Sequence, residues 1–251
     1  MSHHIVEAEN LDYSYPDGTP ALGGVSFRIP HGQSVALVGE NGAGKSTLLR
    51  HFTGCLFALS GNLSIGGLRV EKGNLAEVRR AVGMVFQNPD DQLFMPTVFE
   101  DVAFGLLNMG VPEAELEGKV MDALRTVGAA QLRARPPYRL SQGEKRAVSI
   151  AGVLAMSPDI LVMDEPTSNL DPLSRRRLMA LLKSFRHTKV IATHDLDFAL
   201  EVCDRAVVIH KGRITADGPI RAVFGDALLM ESSSLETPAG LRPGPTGGPE
   251  K

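Results

Sequence analysis

The amino-acid sequence predicts an α/β fold: a mostly parallel sheet covered by helices, with a small antiparallel β subdomain beside it and an inserted helical subdomain. Three observations carry that prediction. Short apolar runs rich in β-branched residues, at 34–38, 160–163, 189–193 and 206–209, alternate with stretches of helical periodicity. Residues 5–38 read as short strands broken by turn residues, notably Pro16 to Pro20 and Pro30 to Gly32. From Val98 to about Leu154 the pattern turns helical.

The bulk properties bound the answer. At 251 residues the chain is long enough to bury one substantial core with an embedded subdomain. A formal net charge of −3 implies no strong global attraction to nucleic acid. Cys55 and Cys203 lack metal-ligand or redox spacing; they suit a reducing compartment and read as plain core residues. No apolar stretch approaches the roughly 20 residues that span a bilayer, and Met1 to Ile5 lack a basic region leading into an apolar one. The chain is therefore expected neither to cross a membrane nor to be exported, and His3 and His4 read as solvated.

The first buried strand, residues 34–38, runs into Gly39, Glu40, Asn41, Gly42, Ala43, Gly44, Lys45 and Ser46, which fit the phosphate-loop pattern G-x-x-x-x-G-K-S/T. Residues 46–52 then carry apolar side chains at helical spacing until Gly54 stops them. Strand, glycine-rich turn and helix in that order let backbone N–H groups of Gly39 and Asn41 to Thr47 wrap phosphate oxygens, with the helix N-terminus adding its dipole. Lys45 is expected at the β- and γ-phosphates and Ser46 on Mg²⁺.

Residues 61–67 continue the strand pattern of the antiparallel subdomain. Another apolar run, 82–86, ends at Gln87, whose neutral carboxamide could touch the metal or the attacking water while its backbone moves with the helical insert. In the insert, Leu116, Val120, Leu124 and Val127 share one helix face that stops at Gly128. Ser141, Gln142, Gly143 and Glu144 fit a capping box, followed by Ala147, Val148, Ala151 and Leu154. A capped N-terminus presents free N–H groups, and Gly143 lets a phosphate approach closely.

Asp164 and Glu165 follow the run 160–163, on the sheet edge that carries the phosphate loop. Mg²⁺ takes hard oxygen ligands, so Asp164 is placed to hold it opposite Ser46, leaving Glu165 to polarise a water as general base. His194 follows 191–193 in the same way; position alone leaves a structural and a phosphate-facing role both open. Arg175 to Arg177 form the densest basic run, but Leu178, Leu181, Leu182 and Phe185 give that helix an apolar face, so the arginines read as solvated. From Ser232 onward Ser, Pro and Gly accumulate. The expected organisation is a nucleotide-binding domain over 1–231, with its helical subdomain at about 88–157, and a disordered tail over 232–251.

Taken in order, Tyr15, the phosphate loop, Gln87, Leu140 to Glu144, Asp164 and Glu165, Ser168 to Asp171 and His194 resemble the ATP-binding cassette (ABC) ATPase domain over about residues 5–225. That resemblance implies a ring of Tyr15 stacked on adenine, catalytic roles for Glu165, His194 and Gln87, and Mg²⁺ held by Ser46, Gln87 and Asp164. It also implies a head-to-tail pair, either two copies or a copy with a homologous ATPase, in which ATP lies between the phosphate loop of one and Ser141, Gln142 and Gly143 of the other. Gln142 and Glu144 depart from the family's usual Leu-Ser-Gly-Gly-Gln, while Ser141 and Gly143 are kept. The stretches 83–94 and 97–105 look like those of energy-coupling-factor importers, the cobalt and nickel type above all. The expected protein is then a peripheral ATPase on the cytoplasmic face of the membrane, working with integral coupling and substrate-binding subunits and not with nucleic acid. A vitamin importer of the same type, and a soluble ATPase of a cytosolic assembly process, are the alternatives; a phosphate-loop kinase would have no use for Ser141 to Glu144.

Overall fold

The computed structural model describes residues 6–242. His3, His4 and the Pro/Gly-rich stretch 243–251 lie outside the described residues. In chain order the regular elements are β1 Val6–Ser14, β2 Pro20–Ile29, β3 Ser34–Val38, α1 Lys45–Phe52, β4 Ser60–Ile65, β5 Leu68–Arg69, α2 Leu75–Ala81 and β6 Val82–Val85. Then come α3 Val98–Asn108, α4 Glu113–Thr126, α5 Gln142–Ala155, β7 Ile160–Asp164, α6 Pro172–Ser184, β8 Thr188–Ala192, α7 Leu196–Val202, β9 Arg205–His210, β10 Arg213–Pro219, α8 Ile220–Gly225 and α9 Ala227–Ser232.

Two sheets result. The larger has the order β10-β9-β3-β8-β7-β6 and is parallel except for β10, which pairs antiparallel with β9. The smaller, β2-β1-β4-β5, is antiparallel throughout. Strand β3 shows why the parallel runs are continuously apolar: Val35 and Leu37 join the core shared with the antiparallel sheet and α1, while Ala36 and Val38 join the core under α6, α7 and α8. Both faces are covered, so the two-residue period of the strand sends apolar groups both ways.

The helical insert has a core of its own, built from Val98, Val102, Leu106, Leu116, Val120, Leu124 and Leu140. Helix α5 closes it with Val148 and Ala151 but sends Ile150 and Val153 into the core of the main sheet. One helix therefore belongs to both bodies. Truncating a fully buried anchor such as Leu124 to Ala is a change that typically costs about 2–5 kcal/mol.

Three sequence expectations need correction. Cys55 is exposed, because it lies just past the end of α1 where the chain turns outward; only Cys203 is a core residue. Residues 232–242, expected as tail, carry structure: Ser233 is buried, and Leu235 and Leu241 pack against the core under α7 and α8. Of the three arginines, Arg176 and Arg177 are exposed, but Arg175 grips Asp195 with two bonds of 2.9 and 3.0 Å and lies over the Phe198 ring.

Candidate functional site

Parallel pairing delivers the chemistry to one edge. Leu37 of β3 and Asp164 of β7 both align with Ala192 of β8, so the residues that follow each strand leave the sheet at the same level. Those are Gly39 onward, Glu165, and Thr193 with His194. Ligands of open α/β sheets bind at this carboxyl edge.

The phosphate loop is shaped by close approaches. A Cβ on Gly39 would lie 2.1 Å from the Ile209 carbonyl of β9, and one on Gly44, at φ +107°, would lie 2.6 Å from the Ala21 carbonyl. Neither position tolerates a side chain. Gly44 is also the N-cap of α1, whose first-turn N–H groups have no carbonyl within the helix to bond. Lys45 is buried and donates from Nζ to the carbonyls of Gly39 (2.7 Å) and Glu40 (3.1 Å), which curls the loop around its ammonium. Burial pulls the Lys45 pKa down, and the carboxylates of Glu165, Asp164 and Glu40 oppose that shift.

Asp164 and Glu165 are both buried. Burial pushes the Asp164 carboxyl above its usual range, against the pull of the Ser46 hydroxyl beside it. Its Oδ1 has no hydrogen-bond partner among the described residues. A desolvated carboxylate oxygen next to a serine hydroxyl is the hard donor set that Mg²⁺ takes, completed by phosphate oxygens and water. Glu165 adopts φ +45° and is held through Oε2 by His194 Nδ1 at 2.8 Å and by the Thr193 hydroxyl and His194 N–H at 3.3 Å each. Strain of this kind at a non-glycine residue persists where the surroundings over-determine it.

Other expected site residues fall into separate groups. Tyr15 donates or accepts at 2.8 Å with the Thr47 hydroxyl, stands edge-on to Tyr13, and Tyr13 in turn stands edge-on to the buried His51. Gln87 is exposed and shares a cavity of about 280 Å³ with Gln142, Ser168 and Asn169; no bond joins it to Ser46 or Asp164 among the described residues. Ser141, Gln142 and Gly143 start α5, on the helical insert. The capping box is formed: Ser141 N–H donates to Glu144 Oε2 at 2.8 Å and Glu144 N–H to Ser141 Oγ at 3.3 Å. Glu144 thus turns back on its own helix.

Sequence reasoning missed Arg146, which is 3% exposed and hydrogen-bonded to the carbonyls of Phe86 and Gln87. A signal existed: Arg146, Ile150 and Val153 lie at i, i+4 and i+7, so the arginine occupies a core-facing stripe. It also missed Thr193 and the Arg175 to Asp195 clamp. Burial raises the Asp195 pKa, but Arg175 and the Phe198 N–H outweigh it and hold the carboxyl below its ordinary range.

A lysine-bearing phosphate loop, an acid pair on a neighbouring strand and a histidine that holds the second acid define a phosphate-loop nucleotide hydrolase. Comparison with known proteins narrows this. The family model described as ABC transporter matches residues 22–168. A putative ABC transporter ATP-binding protein of Geobacter sulfurreducens is 60% identical over 96% of this chain and 97% of its own length. The energy-coupling factor transporter ATP-binding protein EcfA of Methanocaldococcus jannaschii is 45% identical over 94% of this chain and 86% of its own. Among solved structures, cbiO1 of Clostridium perfringens, part of the ABC transporter complex cbiONQ, superposes with TM-score 0.80 at 39% identity, covering 92% of this chain and 94% of that one. The chain belongs to the ABC transporter family, as an ATP-binding subunit that hydrolyses ATP.

Proposed function

We propose that this chain is the ATP-hydrolysing subunit of an energy-coupling-factor importer whose cargo is cobalt or nickel ion. The observation that carries the coupling to a membrane partner is an apolar groove beside Gln87, about 540 Å³ in volume and lined by Met84, Phe86, Leu93, Phe94, Phe104 and Met156. Phe94 is 63% exposed and stands edge-on to Phe104 at 4.9 Å, a large aromatic surface left at the boundary between sheet and insert. Exposed apolar surface of this kind marks a binding face. No helix among the described residues is long and apolar enough to cross a membrane, so the channel belongs to other chains in this reading. The relatives support the transporter type by their names, EcfA and a component of cbiONQ. Residues 83–105, with their likeness to the cobalt and nickel type, support the cargo.

In the reaction, Lys45 neutralises charge on the β- and γ-phosphates while the α1 amides cradle them. Ser46 and Asp164, together with Gln87, would hold Mg²⁺, which would supply Lewis-acid neutralisation of the phosphates. Tyr15 stacks on adenine and orients Thr47. Glu165 takes the proton of the attacking water, and His194 fixes the Glu165 carboxylate and faces the γ-phosphate. Ser141, Gln142 and Gly143 of a second copy or a homologue complete the site, and closure of the pair moves the partner seated on Phe94 and Phe104.

Purification from detergent-solubilised membranes tests the reading. The expected result is an integral membrane protein bound stoichiometrically, with cobalt or nickel uptake that stops when Glu165 is replaced by Gln. Recovery of the chain only with soluble assembly proteins would overturn the importer, and uptake of a vitamin in place of a metal ion would overturn the cargo.

A further inference from the structure

Between the end of β6 and the start of α5 the structure holds a set of bonds that ATP contact alone does not explain. Arg146 lies one turn into α5 and is 3% exposed. Its Nη1 donates to the Phe86 carbonyl and its Nη2 to the Gln87 carbonyl, each at 2.5 Å. A guanidinium offers its N–H groups in a rigid planar fork, so two bonds to successive carbonyls fix the orientation of that peptide as well as its distance. Gln92 adds a second link, accepting from Phe86 N–H at 3.3 Å and donating to the Ser149 carbonyl at 2.9 Å. A third is the ion pair of Lys145 with Asp90 at 2.5 Å. Residues 145, 146 and 149, about one turn of α5, thus hold residues 86–92 at three points.

Burying a guanidinium without a bonded carboxylate is costly, and packing gives no reason for one on the stripe with Ile150 and Val153. Ser141, the N-cap of α5, is five residues from Arg146, or about 7.5 Å along the axis. A stiff segment of that length carries a displacement with little loss.

We propose that Arg146 is a positioning residue that makes Gln87 and the α5 N-terminus one rigid body, so that the approach of Gln87 to the nucleotide of one site sets the position of Ser141 and Gly143 for the other. The inference rests on the reading that ATP lies between the phosphate loop of one copy and Ser141 to Gly143 of a second. With Nη1 and Nη2 bonded to the Phe86 and Gln87 carbonyls, Arg146 acts through those peptides in this proposal and not on the nucleotide. Its effect is on coupling between sites, and coupling of this kind is worth about 5–150-fold in an equilibrium.

Three purified full-length variants, Arg146→Met, Arg146→Lys and Gln92→Leu, test it, each in the wild-type and the Glu165→Gln background. Fluorescent ATP binding at low protein concentration reads the phosphate loop alone, ATP-driven dimerisation by sedimentation reads the coupling, and steady-state turnover reads both. For Arg146→Met the expectation is ATP affinity within about threefold of wild type, with dimerisation and kcat each reduced about tenfold or more. Arg146→Lys keeps the charge but replaces the two-nitrogen fork by a single donating nitrogen, and recovers part of the loss; Gln92→Leu, which removes a link without removing a buried charge, shows a smaller loss of the same pattern. Wild-type dimerisation and turnover in Arg146→Met overturn the proposal. So does a fall in ATP affinity that matches the fall in turnover, the signature of a purely structural arginine. Should Arg146→Met not fold, unchanged dimerisation and turnover in both Arg146→Lys and Gln92→Leu overturn it equally. A Glu165→Gln parent that remains monomeric with ATP removes the two-copy reading itself, and the proposal with it; a parent that dimerises while Arg146→Met dimerises as tightly removes the proposal alone.

Discussion

His194 Nδ1 lies 2.8 Å from Glu165 Oε2, and the same oxygen accepts from Thr193 and from the His194 N–H. Glu165 is almost fully buried whereas the imidazole is 65% exposed, so the histidine links an anchored carboxylate to the space where phosphate enters. Three donors on one oxygen leave the other for water. Replacing Glu165 by Gln keeps an accepting oxygen and removes the base. Turnover is expected to fall about 10²–10⁴-fold with ATP affinity retained. Phosphate release at saturating ATP checks this, and turnover above one tenth of wild type would take the general base away from Glu165.

Lys45 spends its hydrogen bonds on the Gly39 and Glu40 carbonyls and is buried to do so. Removing the ammonium relieves a desolvation cost in the nucleotide-free chain but deletes the charge meant for the phosphates. Lys45→Ala is expected to weaken ATP binding at least about tenfold, while thermal stability without nucleotide holds or rises. Calorimetric titration and melting curves measure the two effects separately. Equal ATP affinity in the variant would remove Lys45 from the phosphate site.

How much of this was legible in the sequence depends on distance along the chain. The phosphate loop, the acid pair and His194 each sit within a few residues of an apolar run, so strand ends and chemistry could be read together. Arg146 meets Gln87 across 59 residues, and Arg175 meets Asp195 across 20; only the fold brings those together. Arg175 reads as solvated in the sequence, and Arg146 goes unnoticed, because no local pattern names a partner for either. The segment 232–242 failed for a different reason: Leu235 and Leu241 are two apolar anchors in a stretch whose average composition is polar, and averaging hid them. Cys55 lies past the helix whose periodicity would have placed it.

Asp164 predicts a conflict between stability and function. Burial raises its folded-state pKa, so between the ordinary carboxylate value, about 4, and the raised folded value the native state binds more protons than the unfolded one. Stability of the nucleotide-free chain therefore falls as pH rises through that window, and the cost is fully present above it. Asp164→Asn is expected to flatten this loss, melting higher than wild type at neutral pH, and to lose Mg²⁺-dependent hydrolysis. Melting temperatures across pH 4–8 without nucleotide give the comparison; a variant less stable than wild type at neutral pH would show that the carboxylate is well solvated or well paired.

Gly143 carries the last prediction. A Cβ there would stand 2.7 Å from Ser174 Oγ and 3.6 Å from Asp171 Oδ2 of the same chain. Those two side chains bond each other at 2.6 Å, and Asp171 caps α6 through the Leu173 and Ser174 N–H groups at 2.9 and 3.0 Å. Gly143→Ala must push the Ser174 hydroxyl aside and break its bond to Asp171 Oδ2, a side-chain hydrogen bond typically worth about 1 kcal/mol, while the Oδ1 cap stays. Ser174→Ala removes the obstructing hydroxyl and leaves its Cβ at 3.4 Å, so adding Gly143→Ala to that variant is expected to lower the melting temperature little further. Hydrolysis should still fall, because in the proposed pair the new methyl group also faces the phosphate of the opposite copy. A double variant that matches Ser174→Ala in both stability and turnover would mean that Gly143 is needed only for packing against α6, and that no phosphate approaches it.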